Sequence, residues 1–358
     1  MTQHSGLGIV TGSAGWLGRA MVRALTEGLE ARALADVPLP ERVRCLVLPG
    51  EAEALEGAGE RVEIVVGDIR VPADCAKLCE GARGARLYHC AGVVHPRRVS
   101  DFFAINVEGT SNVLAAATAA GVGRAVIVSS NSPIGTNPSP DDVFDEASPY
   151  APYMGYGKSK MLMEQRVKET FERGDLETVV VRPPWFYGPY QPPRQTLFFE
   201  MIRDGRAPIV GGGNNRRSMA YIDNLCQGLL LAGAVQSAAG QTYWIADERP
   251  YTMKEVIDTV ERLLEDELGI PCAHGRMRLP SLASGVAFLV DGALQSVGLY
   301  HQKIHVLSEM NKTIACSVEK AKRELGYAPE VALEEGMRRS LRWCVEQGLL
   351  GPKASGSA

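Results

Sequence analysis

Six short, continuously apolar runs dominate the first half of the chain and restrict what it can fold into. They are GLGIVTG (6–12), RVRCLVL (42–48), RVEIVVGD (61–68), ARLYHCAG (85–92), RAVIVSS (124–130) and ETVVVRPP (177–184). Each is rich in β-branched residues and lacks the in–out alternation of a half-solvated strand. Such runs belong to strands buried on both faces, as in a parallel sheet. Parallel neighbours need crossover segments, and amphipathic stretches at 16–28, 103–120 and 157–173 can supply them. The alternation predicts a doubly wound α/β fold. After residue 184 the pattern changes. Pro and Gly cluster at 183–193 and 205–215, and helical stretches at 223–236, 252–267 and 317–325 are separated by loops. A smaller lobe over the carboxyl ends of the strands, where such sheets bind ligands, is expected there. The predicted organisation is 1–184 for the sheet domain, 185–350 for an interlocked substrate-binding lobe, and 351–358 for a flexible tail.

Composition narrows the functional classes. The 358 residues carry 38 Lys+Arg against 42 Asp+Glu, a formal net charge of −4. No basic block offers a footprint for nucleic acid, and none is expected as a partner. The 8 cysteines contain no CxxC and have no His cluster beside them, so no metal site is expected. Cys75 and Cys79, at i,i+4 spacing, are expected on one helix, and the thiols read as reduced. No basic n-region precedes the first apolar run. No apolar run reaches the ~18–20 residues of a membrane span; LASGVAFLV (282–290) stops at Asp291. A cytoplasmic protein without a membrane span is the expectation.

Three motifs carry chemistry. TGSAGWLG (11–18) follows the first strand and opens the first helix. Gly12 permits a tight turn, Gly15 lets a pyrophosphate approach the backbone, and Gly18 lets helix and sheet pack closely. The helix N-terminus then faces the phosphates. In YGKSK (156–160), Tyr156 and Lys160 share a helix face. An ammonium beside a phenol favours phenolate and draws the tyrosine toward neutrality, so Tyr156 reads as a general acid/base. VSSNSPIG (128–135) ends the fifth strand and puts Ser129 and Ser130 at the ligand crevice, where a hydroxyl can polarise a carbonyl.

Taken with GDIR (67–70), HCAG (89–92), NVEGT (106–110) and RPPWFYGP (182–189), these motifs resemble the extended branch of the short-chain dehydrogenase/reductase superfamily over most of the chain. The resemblance implies a Rossmann-type sheet. It implies dinucleotide contacts from Gly12, Ala14, Gly15, Trp16, Leu17 and Gly18. Asp68 and Ile69 would flank the adenine, and Ala91, Gly92 and Ser129 would line the cofactor. Pro183 and Trp185 would meet the carboxamide. Ser130, Tyr156 and Lys160 would be catalytic, with Asn106 supporting the proton relay and Lys160 also holding the ribose. No basic residue follows the second strand directly, where Leu48-Pro49-Gly50 and then Glu51 stand. That favours NAD, with NADP left open. A homodimer packed through 103–120 and 157–173 is implied as common among such proteins.

Departures from the family patterns indicate the branch. Ser130-Asn131-Ser132 lacks the acid of nucleotide-sugar dehydratases, and Trp185 replaces the Asn of the epimerases' R-x-x-N run. A long segment, 278–316, precedes LGYAP (325–329). This layout resembles the 3β-hydroxysteroid dehydrogenase and sterol-carboxylate dehydrogenase group, in which the region can contact membrane. Here Asp291 interrupts it, which predicts a soluble protein. GGGNNRRSMAYIDN (211–224) points the other way. It resembles the run in which nucleotide-sugar enzymes hold a diphosphate, at the position of Arg217. His95, Ser132, Tyr187 and Arg217 are the candidate substrate contacts. The favoured activity is hydride transfer between a nicotinamide and a secondary alcohol or ketone. Nucleotide-sugar epimerisation and non-catalytic dinucleotide binding are the alternatives.

Overall fold

The computed structural model describes residues 6–210 and 212–352; most of the expected tail and Gly211 lie outside them. The strands are β1 (Leu7–Thr11), β2 (Arg42–Val47), β3 (Val62–Val66), β4 (Arg86–His89), β5 (Arg124–Val128), β6 (Glu177–Arg182), β7 (Trp185–Tyr187), β8 (Pro208–Val210), β9 (Arg216–Arg217), β10 (Met219–Tyr221), β11 (Thr242–Trp244), β12 (Tyr251–Thr252) and β13 (Met277–Leu279). Seven of them form one sheet in the order β11-β6-β5-β4-β1-β2-β3. Every pairing within it is parallel. All six apolar runs became its strands. β11 is the addition, and it carries the chain back across the expected boundary at 184.

The helices are α1 (Trp16–Thr26), α2 (Pro72–Leu78), α3 (Val99–Phe103), α4 (Thr110–Ala120), α5 (Met154–Glu172), α6 (Pro193–Arg203), α7 (Ile222–Ala234), α8 (Met253–Arg262), α9 (Ser281–Ser296), α10 (Gln302–Glu309), α11 (Glu319–Leu325) and α12 (Leu333–Glu346). Cys75 lies inside α2 and Cys79 caps it. The sheet separates two apolar cores. Met21, Leu25 and Leu229 belong to one, with Leu78, Val113 and Met163 in the other. Strand order reverses between β1 and its neighbours β2 and β4, which opens a crevice at their carboxyl ends.

Within the 278–316 segment, α9 and α10 pack against one another. Asp291 does not interrupt an outer face, as the sequence suggested; it is turned inward and fully buried, while Leu282 and Leu289 are 74% and 72% exposed. The reason is a partner: His305 on α10 sits 2.7 Å from the Asp291 carboxylate. No helix among the described residues is long and apolar enough to cross a membrane.

Candidate active site

The glycine turn after β1 has three different jobs. A Cβ on Gly18 would lie 2.0 Å from the Gly12 carbonyl oxygen, so Gly18 is required for helix-to-turn packing. Gly12 itself has φ 67° and presses on the Ala91 backbone, where a Cβ would come within 2.6 Å. Gly15 is the N-cap of α1, with no side-chain cap and no acid in the first turn. Its Cβ would meet only the Gly12 carbonyl, at 3.2 Å. The first-turn N–H groups therefore have room for an anion, and the cradle fits a dinucleotide pyrophosphate. Of the remaining turn residues, Leu17 is buried, Ala14 packs against the core, and Trp16 donates its indole N–H to the Pro189 carbonyl at 2.7 Å. Trp16 also packs on Phe186 with ring centroids 4.7 Å apart, which ties the turn to the segment after β6.

At the edge of this crevice Asp68 pairs with Arg70 at 2.5 Å. The Arg70 bond holds the Asp68 carboxyl below its ordinary range. Ile69 is buried, and its carbonyl accepts from Asn112 at 3.0 Å. Leu48, Pro49, Gly50 and Glu51, after β2, are exposed at the same rim.

The floor of the site is built where the loop after β4 meets α5. Asn106 lies in a single π-helical turn, Ala104–Gly109, leading into α4; such turns re-aim side chains. Its amide accepts from the Val93 N–H at 2.8 Å and donates to Ser159 Oγ at 3.0 Å. A Cβ on Gly92 would lie 3.2 Å from Asn106 Oδ1 and 3.3 Å from Lys160 Nζ. Gly92 thus lets the loop cross directly over the ammonium. Ser130 supports the Tyr156 phenol through a hydrogen bond, and the Ser132 N–H donates to Ser130 Oγ at 3.3 Å.

One expectation about this group is corrected. Tyr156 is not drawn toward neutrality. Burial pushes it up to about 12, against the smaller lowering effect of Ser130. The physical reason is the direction of Lys160: its ammonium donates to the Val128 carbonyl at 2.9 Å, and burial pulls it down to about 8. Ser129 is also otherwise engaged. Its hydroxyl donates to the buried Glu164 at 2.5 Å, and Glu164 is held by Arg182 at 2.6 Å and by the Tyr150 hydroxyl at 2.8 Å. That network fastens α5 to β6 beside the site.

Of the candidate substrate contacts, Ser132 is with the Ser130 group. His95 faces Tyr300, with Nδ1 2.6 Å from its hydroxyl. Burial and then the Arg194 and His305 charges lower His95 to about 4, leaving it neutral. Tyr187 is placed elsewhere: it is buried and donates to Asp247 at 2.8 Å. Arg217 donates to the Glu309 carbonyl at 2.5 Å, so α10 engages the guanidinium. Pro183 is buried, and Trp185 packs edge-on against Phe198 at 5.6 Å. Three residues that act on Tyr156 gave no sequence signal. Phe102 lies between the Tyr156 and Tyr300 rings, at 5.7 and 5.4 Å. The charges of Arg194 and Glu309 act on the Tyr156 phenol. They come from segments distant in sequence, and only the fold brings them together.

A parallel sheet with its switch point over a glycine turn, and a Tyr–Lys pair beside a strand-end serine, define an extended short-chain dehydrogenase/reductase. The chain belongs to the NAD dependent epimerase/dehydratase family, whose model matches residues 9–246. The Sinorhizobium fredii protein y4nL is 51% identical over 350 residues, covering 97% of this chain and 98% of the relative. A 3-beta-hydroxysteroid dehydrogenase of Mycolicibacterium neoaurum is 30% identical, covering 93% of this chain and 90% of that one. Among solved structures, the NAD-bound dTDP-glucose 4,6-dehydratase DesIV of Streptomyces venezuelae matches with a TM-score of 0.74 at 28% identity, covering 95% and 97% of the two chains.

Proposed function

We propose that this protein is an NAD-dependent oxidoreductase that interconverts a secondary alcohol and a ketone on an apolar ring or chain. The observation that carries the reading is the Ser130 hydrogen bond to the Tyr156 phenol, one helical turn from Lys160, which lies with Asn106 directly under Gly92. When bound, the nicotinamide takes or gives the hydride. Tyr156 moves the accompanying proton at its phenol oxygen, so alcohol oxidation yields a ketone, reduced nicotinamide and one proton. A phenol held protonated by burial suits donation to a ketone oxygen. Ser130 places that oxygen by a second hydrogen bond. Lys160 and Asn106, under Gly92, are positioned to hold the cofactor's ribose side. His95 and Tyr300 wall the substrate space.

The apolar substrate class is supported by the similarity to the Mycolicibacterium dehydrogenase and by Trp185 and Phe198 near the site. The missing acid beside Ser130 argues against dehydration of the DesIV type. The epimerase reading rests on Arg217, and its engagement by Glu309 weakens it. Following NADH formation over a panel of secondary alcohols tests the proposal. Net NADH formation with a sterol or long-chain alcohol is expected. Conversion of a nucleotide sugar with no net NADH change would replace this reading with the epimerase one.

A further inference from the structure

The helix that carries Tyr156, α5, has an unfavourable start. Its N-cap, Tyr153, makes no side-chain cap, and its first residue, Met154, has φ 53°. A side chain stays in that left-handed region only where its surroundings hold it there. Here the surroundings are α9. First-turn N–H groups have no partner inside their own helix, and that of Gly155 donates to Gln295 Oε1 of α9 at 2.9 Å. The Met154 side chain ends 3.8 Å from where a Cβ on Gly292 of α9 would stand. Gly155 itself has no room to spare: a Cβ would lie 2.8 Å from Gln295 Oε1 and 3.4 Å from the Phe102 ring. The Gln295 amide is oriented from its other end. Its Nε2 donates to Asp291 Oδ1 at 3.0 Å, one helical turn back on the same face. A carboxylate takes only a donor and an N–H only an acceptor, so the amide has one orientation. His305 of α10 holds the other Asp291 oxygen at 2.7 Å. The residue after Gly155 is Tyr156, whose ring centroid lies 5.7 Å from that of Phe102.

We infer that Gln295 is a positioning residue for the reaction: oriented by Asp291, its amide caps α5 at Gly155 and so fixes the Tyr156 ring. The inference rests on the proposed oxidoreductase reading for the work that Tyr156 does, and it gives the 278–316 segment a task in that work. Gln295 acts on Tyr156 through the Gly155 backbone. Without its oxygen the Gly155 N–H has no acceptor and Met154 loses part of what holds it left-handed. The first turn then relaxes, and the phenol moves with it. Lys160, one turn further along, keeps its own anchor in the Val128 carbonyl. Misplacing a reacting group by about 1 Å can cost ~10²-fold in rate, while substrate and NAD contacts made elsewhere persist.

The test uses the full chain with NAD, and 2-decanol and a 3β-hydroxysterol as substrates. Tyrosine labelled with carbon-13 at Cζ reports on Tyr156 by NMR, its resonance assigned by its loss in Tyr156→Phe. Gln295→Met keeps the length of the side chain and removes the acceptor. It should lower kcat roughly 10- to 100-fold, leave KM and NAD affinity within about threefold, and move the Tyr156 resonance. Gln295→Glu keeps an acceptor but sets a second carboxylate against Asp291, and its kcat should fall to a similar extent. Adding Asp291→Asn to it exchanges donor and acceptor between the two residues, and should bring kcat and the resonance back toward wild type. An unmoved resonance or an unchanged kcat in Gln295→Met, with or without a lower Tm, overturns the inference. So does a double variant no better than Gln295→Glu. If the wild type forms NADH from neither alcohol, the oxidoreductase reading is at fault, and the resonance in the same variants decides the positioning by itself.

Discussion

His305 and Asp291 form a buried ion pair, 2.7 Å between Nδ1 and Oδ2, that joins α10 to α9. Burial opposes charge on His305. The Asp291 bond, with the Glu309 and Asp291 charges, outweighs it and holds the imidazole above its ordinary value. A histidine with a raised folded pKa contributes stability in full below its unfolded value of ~6.5, and loses it as pH rises through the folded value. Asp291→Ala should destabilise the protein by ~3–5 kcal/mol at pH 6, the cost of orphaning one partner of a buried pair. In a thermal melt series, the gap between wild type and His305→Gln should shrink as pH is raised from 6 through 8. A gap constant across that range would show that the pair acts as a neutral hydrogen bond.

Tyr156→Phe removes the proton that moves with the hydride, and turnover should fall ~10²–10⁴-fold. NAD affinity should hold within about threefold, because the change deletes one buried hydroxyl. Stopped-flow NADH formation with titration of NAD separates the two effects. Activity near wild type would withdraw Tyr156 from the reaction.

Lys160→Met makes an opposite pair of demands. The buried ammonium is pulled down to about 8, so below that pH the fold carries a charge it disfavours. The penalty fades as pH rises toward ~10.4, because in that interval only the unfolded chain holds the extra proton. The variant should lose turnover and weaken NAD binding, while its Tm at pH 7 stays level or rises by about 2–4 °C. A marked drop in Tm would mean that the Val128 bond outweighs the desolvation.

Two glycines seven and four residues beyond β1 separate folding from binding. Gly18→Ala puts a Cβ 2.0 Å from the Gly12 carbonyl and should lower Tm sharply, whatever the ligand. Gly15→Val meets only one backbone atom, at 3.2 Å. It should cost NAD affinity far more than stability, since the branched side chain stands where the pyrophosphate approaches. Comparable melting losses in both variants, with NAD affinity intact in Gly15→Val, would contradict the assignment of the turn.

The strands were legible because burial on both faces writes a continuous apolar run, and all six runs appear in the sheet. β11 was not, since three residues, Thr242–Trp244, are too few to show any period. α9 was misjudged because its one charge was read as an exposed interruption, whereas the inward turn of Asp291 depends on His305, fourteen residues away. In the site, the pairing of Tyr156 with Lys160 could be read from i,i+4 spacing and the serines from the strand end, whereas Asn106 and the choice of Ser130 came only from the family resemblance. The direction of the Lys160 ammonium could not be read, because it depends on the Val128 carbonyl. Likewise Ser129 is engaged by Glu164, and Phe102 of α3 packs on the Tyr156 ring of α5. Each of these relations joins segments that no local pattern connects.

The last prediction turns on Arg217. Were its guanidinium to hold a substrate diphosphate, Arg217→Ala would delete a charge-assisted hydrogen bond worth ~1.5–3 kcal/mol, roughly 10- to 150-fold in affinity. In the structure the guanidinium donates instead to the Glu309 carbonyl, and burial lowers its pKa against the Glu309 charge. Its role is then to brace α10. Arg217→Ala should lower Tm and shift KM for an alcohol substrate by less than about threefold. UDP, GDP and dTDP should give no thermal protection through this residue; a ligand at 100 times its Kd would stabilise by ~2.7 kcal/mol, which a melt resolves readily. Protection by one of these nucleotides that disappears in Arg217→Ala would transfer the guanidinium from α10 to the substrate and make nucleotide-sugar chemistry the better reading.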